Sequence, residues 1–342
     1  MRYYASRKKV YLFILPLLIL SGCDFVIHLM GLGEEPRIVW QQTNLEDIHV
    51  VTLAIDENGV IYASPVGLAS NLRLYRSNDH GISWTLLNTP DIRGYIEIIS
   101  ICRNGDIYAS YNNGMNGGLV MSTDQGECWS ECDIPSMSIK TIAIHSEDHI
   151  FIGCNKHEES PGGIFYSTDH GVNWNHTPWP LSQGVNALAF DSQDFLLIYS
   201  NNQLNRSTDN GQTWTEIFHD TLLSGCFRLA LKTDHLMFRS TRNKGIFRSI
   251  NGGASWQQTS LNDLILPPLC LSDDGMIITA GSRLDGEPGG IFYSVDDGEN
   301  WIDITGNLRN EPVDAIAYSP NGDIFVGTYS RGVMKINRSV LQ

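Results

Sequence analysis

The stretch Ser167–Trp174, STDHGVNW, recurs with small changes at five other places in the chain. The copies are SNDHGISW (77–84), STDQGECW (122–129), STDNGQTW (207–214), SINGGASW (249–256) and SVDDGENW (294–301). All six fit Ser-x-[Asp/Asn]-x-Gly-x-x-Trp, and successive tryptophans lie 40 to 45 residues apart. A repeat of this length is typical of the four-stranded blades of a β-propeller.

Each fixed position of the phrase has a physical role in a tight turn. Ser and Asp side chains accept hydrogen bonds from nearby backbone N–H groups, and Gly adopts the positive φ that other residues avoid. The Trp begins the next strand, where its large apolar face fills the gap between neighbouring sheets. We therefore expect the carboxylates to be occupied by their own turns rather than by catalysis or calcium binding. The structural set is Asp79, Asp124, Asp169, Asp209, Asn251 and Asp296, with Trp84, Trp129, Trp174, Trp214, Trp256 and Trp301.

A second repeated unit, an apolar strand followed by a turn and another apolar strand, sets the number of blades. It occurs seven times, as VVTLAIDENGVIYAS, IEIISICRNGDIYAS, IKTIAIHSEDHIFIG, VNALAFDSQDFLLIYS, FRLALKTDHLMFRS, LPPLCLSDDGMIITAG and VDAIAYSPNGDIFVG. The seventh unit is followed by no box, but the segment from Arg37 to Thr43 resembles a box strand, and Trp40 precedes Trp84 by 44 residues. Pairing of head with tail hides both free strand edges. The sequence thus predicts an all-β, single seven-bladed β-propeller over residues 37–342, with the N-terminal strand closing the last blade.

The phrase resembles the Asp-box, or BNR repeat, of sialidases, sortilin-type receptors, some xyloglucan hydrolases and the photosystem II assembly factors. The resemblance implies a β-propeller in which the box joins the third and fourth strands of a blade, away from the ligand face. Its outline is closest to the photosystem II assembly factor type, which has a lipoprotein leader and one seven-bladed propeller. The box serves enzymes and binding proteins alike, so it indicates fold rather than function.

Residues 1–22 have the pattern of a lipoprotein signal peptide. Four basic residues precede an apolar run from Val10 to Leu20, which is too short to span a bilayer comfortably. The phrase LSGC resembles the bacterial lipobox, and this resemblance implies that Cys23 is acylated after cleavage. Residues 23–36 then form a short tether, and we expect a palmitate-type anchor to hold the propeller on the outer side of the inner or outer membrane of a bacterial cell envelope.

Charge and cysteine content restrict the partners. Without the leader the chain has 19 basic and 38 acidic residues, a net charge of −19, which argues against nucleic acid. Six cysteines follow Cys23, and burial as free thiols is favoured because Cys128 and Cys132 are too far apart on one strand to bridge. The sequence shows no metal-ligand spacing and no cofactor motif, and we expect a monomer.

Candidate ligand-binding residues lie in loops that should converge on the central channel. Arg242, Arg283 and Arg331 follow equivalent second strands, and Lys156 and Arg309 are further candidates for an anion or carboxylate site. The alternative is that these side chains are solvated or neutralised by Asp285, Glu287 and Glu311. Trp179 lies outside the repeat register, where it either stacks on a ligand or fills a blade junction.

The sequence favours a binding or assembly platform for a protein or glycan ligand over an enzyme. The alternative is a sialidase-like exo-glycoside hydrolase. That family uses three arginines, a Tyr/Glu nucleophile pair, an Asp acid and an Arg-Ile-Pro motif on six blades, whereas this chain offers only the phrase beginning at Arg37, without the Pro. We predict no catalytic residue, although a convergent carboxylate pair with a Tyr at the channel would favour the enzyme.

Overall fold

The structure, a computed structural model, describes residues 38–66, 71–113, 117–135, 137–155, 162–177, 184–221, 225–265, 268–272, 274–283 and 289–341. The leader, Cys23, Lys156 and Trp179 lie outside the described residues. The compact unit from Ile38 to Gln342 consists of seven antiparallel sheets, so the prediction of a seven-bladed propeller is confirmed. No described helix is long and apolar enough to cross a membrane.

Seven blades of four strands follow one another along the chain. From the channel outward, blade 1 contains Val50–Ile55, Ile61–Pro65, Tyr75–Ser77 and Thr85–Leu86. Blade 2 contains Tyr95–Ile101, Ile107–Asn112, Gly117–Ser122 and Ser130–Glu131. Blade 3 contains Ile139–Ile144, Ile150–Cys154, Gly163–Ser167 and Asn175–Thr177. Blades 4 and 5 contain Val185–Phe190, Leu196–Ser200, Gln203–Ser207 and Thr215–His219; and Arg228–Leu231, Met237–Ser240, Ile246–Ser249 and Gln257–Gln258.

The last two blades depart from the simple order. Blade 6 has a divided inner strand, Leu264–Ile265 and Leu269–Leu271, followed by Ile277–Arg283, Gly290–Ser294 and Ile302–Asp303. Blade 7 contains Val313–Tyr318, Asp323–Thr328, Val333–Asn337 and, from the other end of the chain, Gln41–Gln42. Two short 3-10 segments, Gly306–Leu308 and Arg338–Leu341, complete the described elements.

The N-terminal strand closes blade 7 as predicted, although only two residues form it. Gln41 lies opposite Lys335, and Gln42 lies opposite Met334. Trp40 is 1% exposed, and its indole donates a hydrogen bond to the carbonyl of Ile304 at 2.7 Å. The closing segment is therefore held as much by the burial of one indole as by strand pairing.

Seven apolar clusters lie between neighbouring blades, and each includes one repeat tryptophan. Trp174, for example, packs on buried residues of blades 2 and 3, such as Tyr108 and Ile152. The other boxes place Trp84, Trp129, Trp214, Trp256 and Trp301 in the same way, and Trp40 fills the cluster between blades 6 and 7. The core thus consists of seven apolar clusters between blades, six of which contain the tryptophan of a box phrase and one of which contains Trp40.

The two ends of the ring differ in their connections. The turns between first and second strands share one end with the boxes, which we call the box face. The other end, the loop face, carries the connections that follow second and fourth strands. Near the loop face, a β-bulge inserts one residue into the inner strand of five blades, at Val51, Glu97, Lys140, Asn186 and Asp314.

Candidate functional site

The Asp-box carboxylates are held by their own turns. In blade 3, Oδ1 of Asp169 accepts from Ser167 Oγ and from the N–H of Asn173, both at 2.8 Å, and Oδ2 accepts from Asn173 Nδ2 at 2.6 Å. These hydrogen bonds lower the pKa of Asp169. The same arrangement lowers the pKa of Asp124 and brings the pKa values of Asp79, Asp209 and Asp296 to about 2.

Blade 5 has a neutral version of the same turn. Asn251 Oδ1 accepts from the N–H of Ser255 at 2.9 Å, and its Nδ2 donates to Ser255 Oγ at 2.9 Å. Because an amide reproduces the geometry, the box needs a short acceptor rather than a charge. The carboxylates of the other boxes therefore have a structural role, and the geometry of the turn does not depend on their negative charge.

The other box positions also serve packing. Gly298 has a φ of +78°, and a Cβ there would lie 2.8 Å from the ring of Phe238 in blade 5. Three indoles donate to the carbonyl of their own box glycine at 2.9–3.0 Å, namely those of Trp129, Trp174 and Trp214. The box face is therefore built from contacts within and between blades.

A cavity of about 260 Å³ opens on the channel axis near the loop face. It is lined by residues within or beside the inner strands of six blades, which meet only at the axis, and a second space of about 150 Å³ continues along the same strands. We call this site the channel mouth and define it by Val51, Glu97, Lys140, Arg228 and Asp314. Four of these are bulge residues, so the bulges of the inner strands direct the polar side chains of Glu97, Lys140 and Asp314 toward the axis.

The carboxylates of the channel mouth contact side chains rather than their own turns. Oε1 of Glu97 accepts from the hydroxyl of Tyr95 at 3.2 Å and from Asn112 Nδ2 at 3.1 Å. Burial, followed by the charge and hydrogen bond of Glu97, raises the pKa of Tyr95. Asp314 Oδ2 lies 2.6 Å from Nε2 of His49, an imidazole of the neighbouring blade.

Cations face these carboxylates from other blades. The Arg228 guanidinium lies 4.5 Å from the centroid of the Phe227 ring and donates to the Phe227 carbonyl at 3.2 Å. Burial lowers the pKa of Arg228, while the nearby charge of Glu97 opposes that shift. Together with Lys140, Arg228 gives the mouth positive charge in a partly desolvated setting, where electrostatic contacts are stronger than in bulk water.

The three predicted arginines share the loop face but do not line this cavity. Arg242 is exposed, and Arg283 forms an ion pair with Asp263 of its own blade at 2.5 Å. Arg331 donates to the carbonyl of Asn307 at 3.2 Å. Arg242 and Arg331 lie in loops, Arg283 ends the strand Ile277–Arg283, and their joint role in anion binding stays a prediction.

The other predicted loop residues have similarly local surroundings. Arg309 is exposed, 3.9 Å from Asp303, and Glu311 accepts from the N–H of Ser330 at 2.6 Å. Lys156 and Trp179 stay predictions because they lie outside the described residues. None of the six described cysteines forms a disulfide, and burial raises the pKa values of Cys102, Cys132 and Cys226 to about 12.

A larger cavity, of about 660 Å³, lies on the box face between blades 4 and 5. Its charged side chains already have partners: Arg206 binds Asp191 at 2.5 Å, and Asp234 accepts from Ser192 Oγ at 2.5 Å. We therefore favour the smaller channel mouth, where groups from six blades converge, as the candidate site.

The sequence contains a pattern that indicates the channel mouth, but no single motif reveals it. The second residue of several repeated units is polar or charged within an otherwise apolar strand, as in IEI, IKT, VNA and VDA. In a single unit, such a residue has the pattern of a solvent-exposed position on a half-buried strand. Only the alignment of all seven units shows that these residues occupy one level of the channel.

Comparison with known proteins is consistent with this architecture. The BNR/Asp-box repeat family matches residues 165–176. A photosystem II assembly lipoprotein, Ycf48 of Synechococcus sp. (strain CC9902), is 25% identical over 166 residues, which are 46% of this chain and 48% of the relative. The chain thus spans about half the length of the curated relative that it matches.

Two solved structures extend the comparison to the whole ring. YCF48 bound to D1 peptide has a TM-score of 0.62 and 14% identity, covering 89% of this chain and 97% of that one. Virginiamycin B lyase from Staphylococcus aureus has a TM-score of 0.68 and 16% identity, covering 87% and 98%. At these identities the likeness concerns the fold, which serves both a peptide-binding protein and a lyase.

Proposed function

We propose that this Asp-box β-propeller is a lipid-anchored, extracytoplasmic platform that binds a segment of another protein at the channel mouth. The observation that carries the proposal is the convergence of Glu97, Lys140, Arg228 and Asp314 on one axial cavity. Both signs of charge are present there, beside the apolar Val51, Ile98 and Phe227. Such a surface suits a peptide, which presents backbone amides, apolar side chains and charges together.

The size of the cavity favours a side chain or chain end over a complete small molecule. Pockets for drug-sized ligands usually hold about 300–1,000 Å³, and the mouth holds about 260 Å³. A protein segment could insert one or two residues there while the rest of the partner contacts the loop face. The peptide bound to a propeller of the same fold supports this mode of recognition.

Membrane attachment rests on the sequence. The leader and Cys23 resemble a lipobox, and the relative from Synechococcus is itself a lipoprotein. An acylated Cys23 would place the ring within a short tether of the membrane surface. The strongly negative mature chain would then be directed toward protein or glycan partners rather than nucleic acid.

A second candidate, glycoside hydrolysis, has one specific observation in its favour. The mouth brings together a Tyr95–Glu97 pair and the carboxylate of Asp314, as a sialidase-like site requires. However, the pKa of Tyr95 is raised, which opposes its use as a nucleophile, and Arg228 is the one arginine among the described lining residues. We therefore assign binding, not hydrolysis, to the mouth.

Site-specific photo-crosslinking tests the proposal. A benzophenone side chain is placed at Val51, in the mouth, or at Val172, a box-face position that is 70% exposed. With the full-length protein in membranes of its own bacterium, we expect a discrete adduct from position 51 that mass spectrometry identifies as a protein segment. Position 172 is the matched control and should give no adduct of that mass.

Two outcomes would contradict the proposal. Equal adducts from both positions, or no adduct from position 51, would show that the mouth is not the binding surface. Incubation with anionic and neutral glycans covers the alternative: a trimmed product that Glu97→Gln abolishes would make this protein an enzyme. Retention of a glycan without trimming would replace the protein ligand by a carbohydrate.

A further inference from the structure

The first turn of blade 3 on the box face differs from the equivalent turns of blades 1 and 4. In blades 1 and 4 the turn opens with an aspartate whose Oδ1 accepts from two backbone N–H groups, as Asp191 does from Gln193 and Phe195 at 3.0 and 2.9 Å. Blade 3 has HSEDH in this place, with His145 first and His149 last. A histidine has thus taken the position of the capping carboxylate.

The capping contact decides which nitrogen of His145 is available. Its Nδ1 accepts from the N–H of Glu147 at 3.1 Å, so Nδ1 uses its lone pair within the turn. The other nitrogen, Nε2, must then carry either a proton or a metal ion. Its nearest described carboxylate oxygen, Oδ2 of Asp194, is 3.8 Å away, which is too long for a hydrogen bond.

The backbone places two further ligand atoms beside this nitrogen. The N–H of His145 donates to the carbonyl of His149 at 2.9 Å, so the two imidazoles are cross-strand neighbours with centroids 5.1 Å apart. Nε2 of His149 lies 3.8 Å from Oε2 of Glu147. Ligand atoms of the three residues all lie within 4.8 Å of one another, the one such group among the described residues.

We propose that His145, Glu147 and His149 form a binding site for a divalent first-row transition metal ion, with Zn²⁺ as the ion of best fit. Two imidazoles and one carboxylate are the donors that zinc accepts, whereas calcium and magnesium prefer oxygen alone. Asp194 of the next blade, which Ser146 holds at 2.5 Å, adds negative charge beside the ion.

The required movement is small and falls on the exposed members. Zinc ligands at about 2.0–2.1 Å from the ion lie roughly 3.3 Å from one another, so the three atoms must approach by up to about 1.5 Å. Glu147 is 72% exposed and His149 is 25% exposed, and both can rotate without disturbing a core. His145, 12% exposed and fixed by its Nδ1 contact, supplies the rigid reference point.

The site is independent of the channel mouth because it lies on the opposite face of the ring. The experiment uses the full-length, metal-stripped protein in detergent, titrated with Zn²⁺ by calorimetry and with Co²⁺ by visible absorbance. We expect one ion per chain, and a melting midpoint that rises with zinc concentration. The intense visible bands of tetrahedral Co²⁺ would report imidazole and carboxylate ligation.

Two variants separate metal binding from turn formation. His145→Asn keeps a capping acceptor but removes Nε2, and His149→Phe keeps an aromatic ring without a ligand atom; each should lower zinc affinity about 100-fold or more. His170→Phe is the control, since among the described residues His170 contacts a single carboxylate, that of Asp106 at 3.2 Å. Binding of no ion, or equal affinity in His149→Phe and the unaltered protein, would overturn the proposal.

Discussion

The box face and the channel mouth both contain carboxylates, but the partners of those carboxylates differ. On the box face, Asp169 receives its hydrogen bonds from residues two and four positions away in sequence. At the mouth, Asp314 contacts His49, which is 265 residues away, and Glu97 shares a cavity with Arg228 of blade 5. A carboxylate whose oxygens accept hydrogen bonds within its own turn is not available to a ligand. A carboxylate paired with a side chain of another blade can exchange that side chain for a group of the ligand.

The comparison shows that the repeated contacts and the proposed binding site lie in different parts of this ring. The repeated phrase fixes the shape of every blade and uses its polar atoms in doing so. The channel-facing residue varies from blade to blade: Val51, Glu97, Lys140, Asn186 and Asp314 occupy equivalent bulges. Because the residue at this bulge differs between blades, a symmetric scaffold has an asymmetric channel mouth.

The largest effect should come from the box face. Trp174→Ala removes an indole from the wall between blades 2 and 3, and we expect a loss of about 3 kcal/mol in the free energy of unfolding. Urea unfolding measures it, and the photo-adduct from position 51 should persist below the melting temperature. A folded variant that gave no adduct would show that the box face and the channel mouth are not independent.

At the mouth we expect a smaller effect, on ligand affinity rather than on the free energy of unfolding. Arg228→Met keeps the length of the side chain while it removes the charge, and ligand affinity should fall about 10- to 100-fold, the worth of a charge-assisted hydrogen bond. The unfolding midpoint should stay or rise, because a partly desolvated charge is replaced by an apolar group. Arg242→Met, an exposed loop change on the same face, is the matched control.

The smallest effect is the acid sensitivity of a single box. The folded pKa of Asp296, about 2, lies below its usual value, so its contribution to stability is present above about pH 4 and is lost as the pH falls toward 2. Asp296→Asn should match the natural Asn251 turn, with an unchanged midpoint at pH 7 and a smaller loss between pH 4 and 2. Thermal melts across that range measure the difference.

Asp296→Ala provides the control for this prediction, since alanine removes the acceptor as well as the charge. It should lower the midpoint at both pH values. An Asn variant that was as acid-sensitive as the unaltered protein would mean that the box carboxylate contributes nothing through its ionisation.

The fold was predictable because its determinants are local. The contacts of Ser167, Asp169 and Gly171 lie within five residues, so one phrase reveals one turn, and counting phrases gives the ring. The mouth was not predictable in the same way, because Glu97 and Arg228 meet only through the curvature of the ring. The ion pair of Arg283 was not predictable either, because Asp263, which lies just before the strand Leu264–Ile265, is 20 residues away in sequence.

The two-residue closing strand joins the two ends of the ring. Thr43 donates its hydroxyl hydrogen bond to Val333, a partner 290 residues along the chain, so closure requires almost the whole polypeptide. Contacts of such separation form slowly, since the entropy of closing the loop is lost before any packing compensates for it. Of the strands of the ring, the closing strand is synthesised first, and we expect it to pair last. Until this pairing forms, the strand Val333–Asn337 has an unpaired edge, and we expect the protein to be most prone to aggregation in that interval.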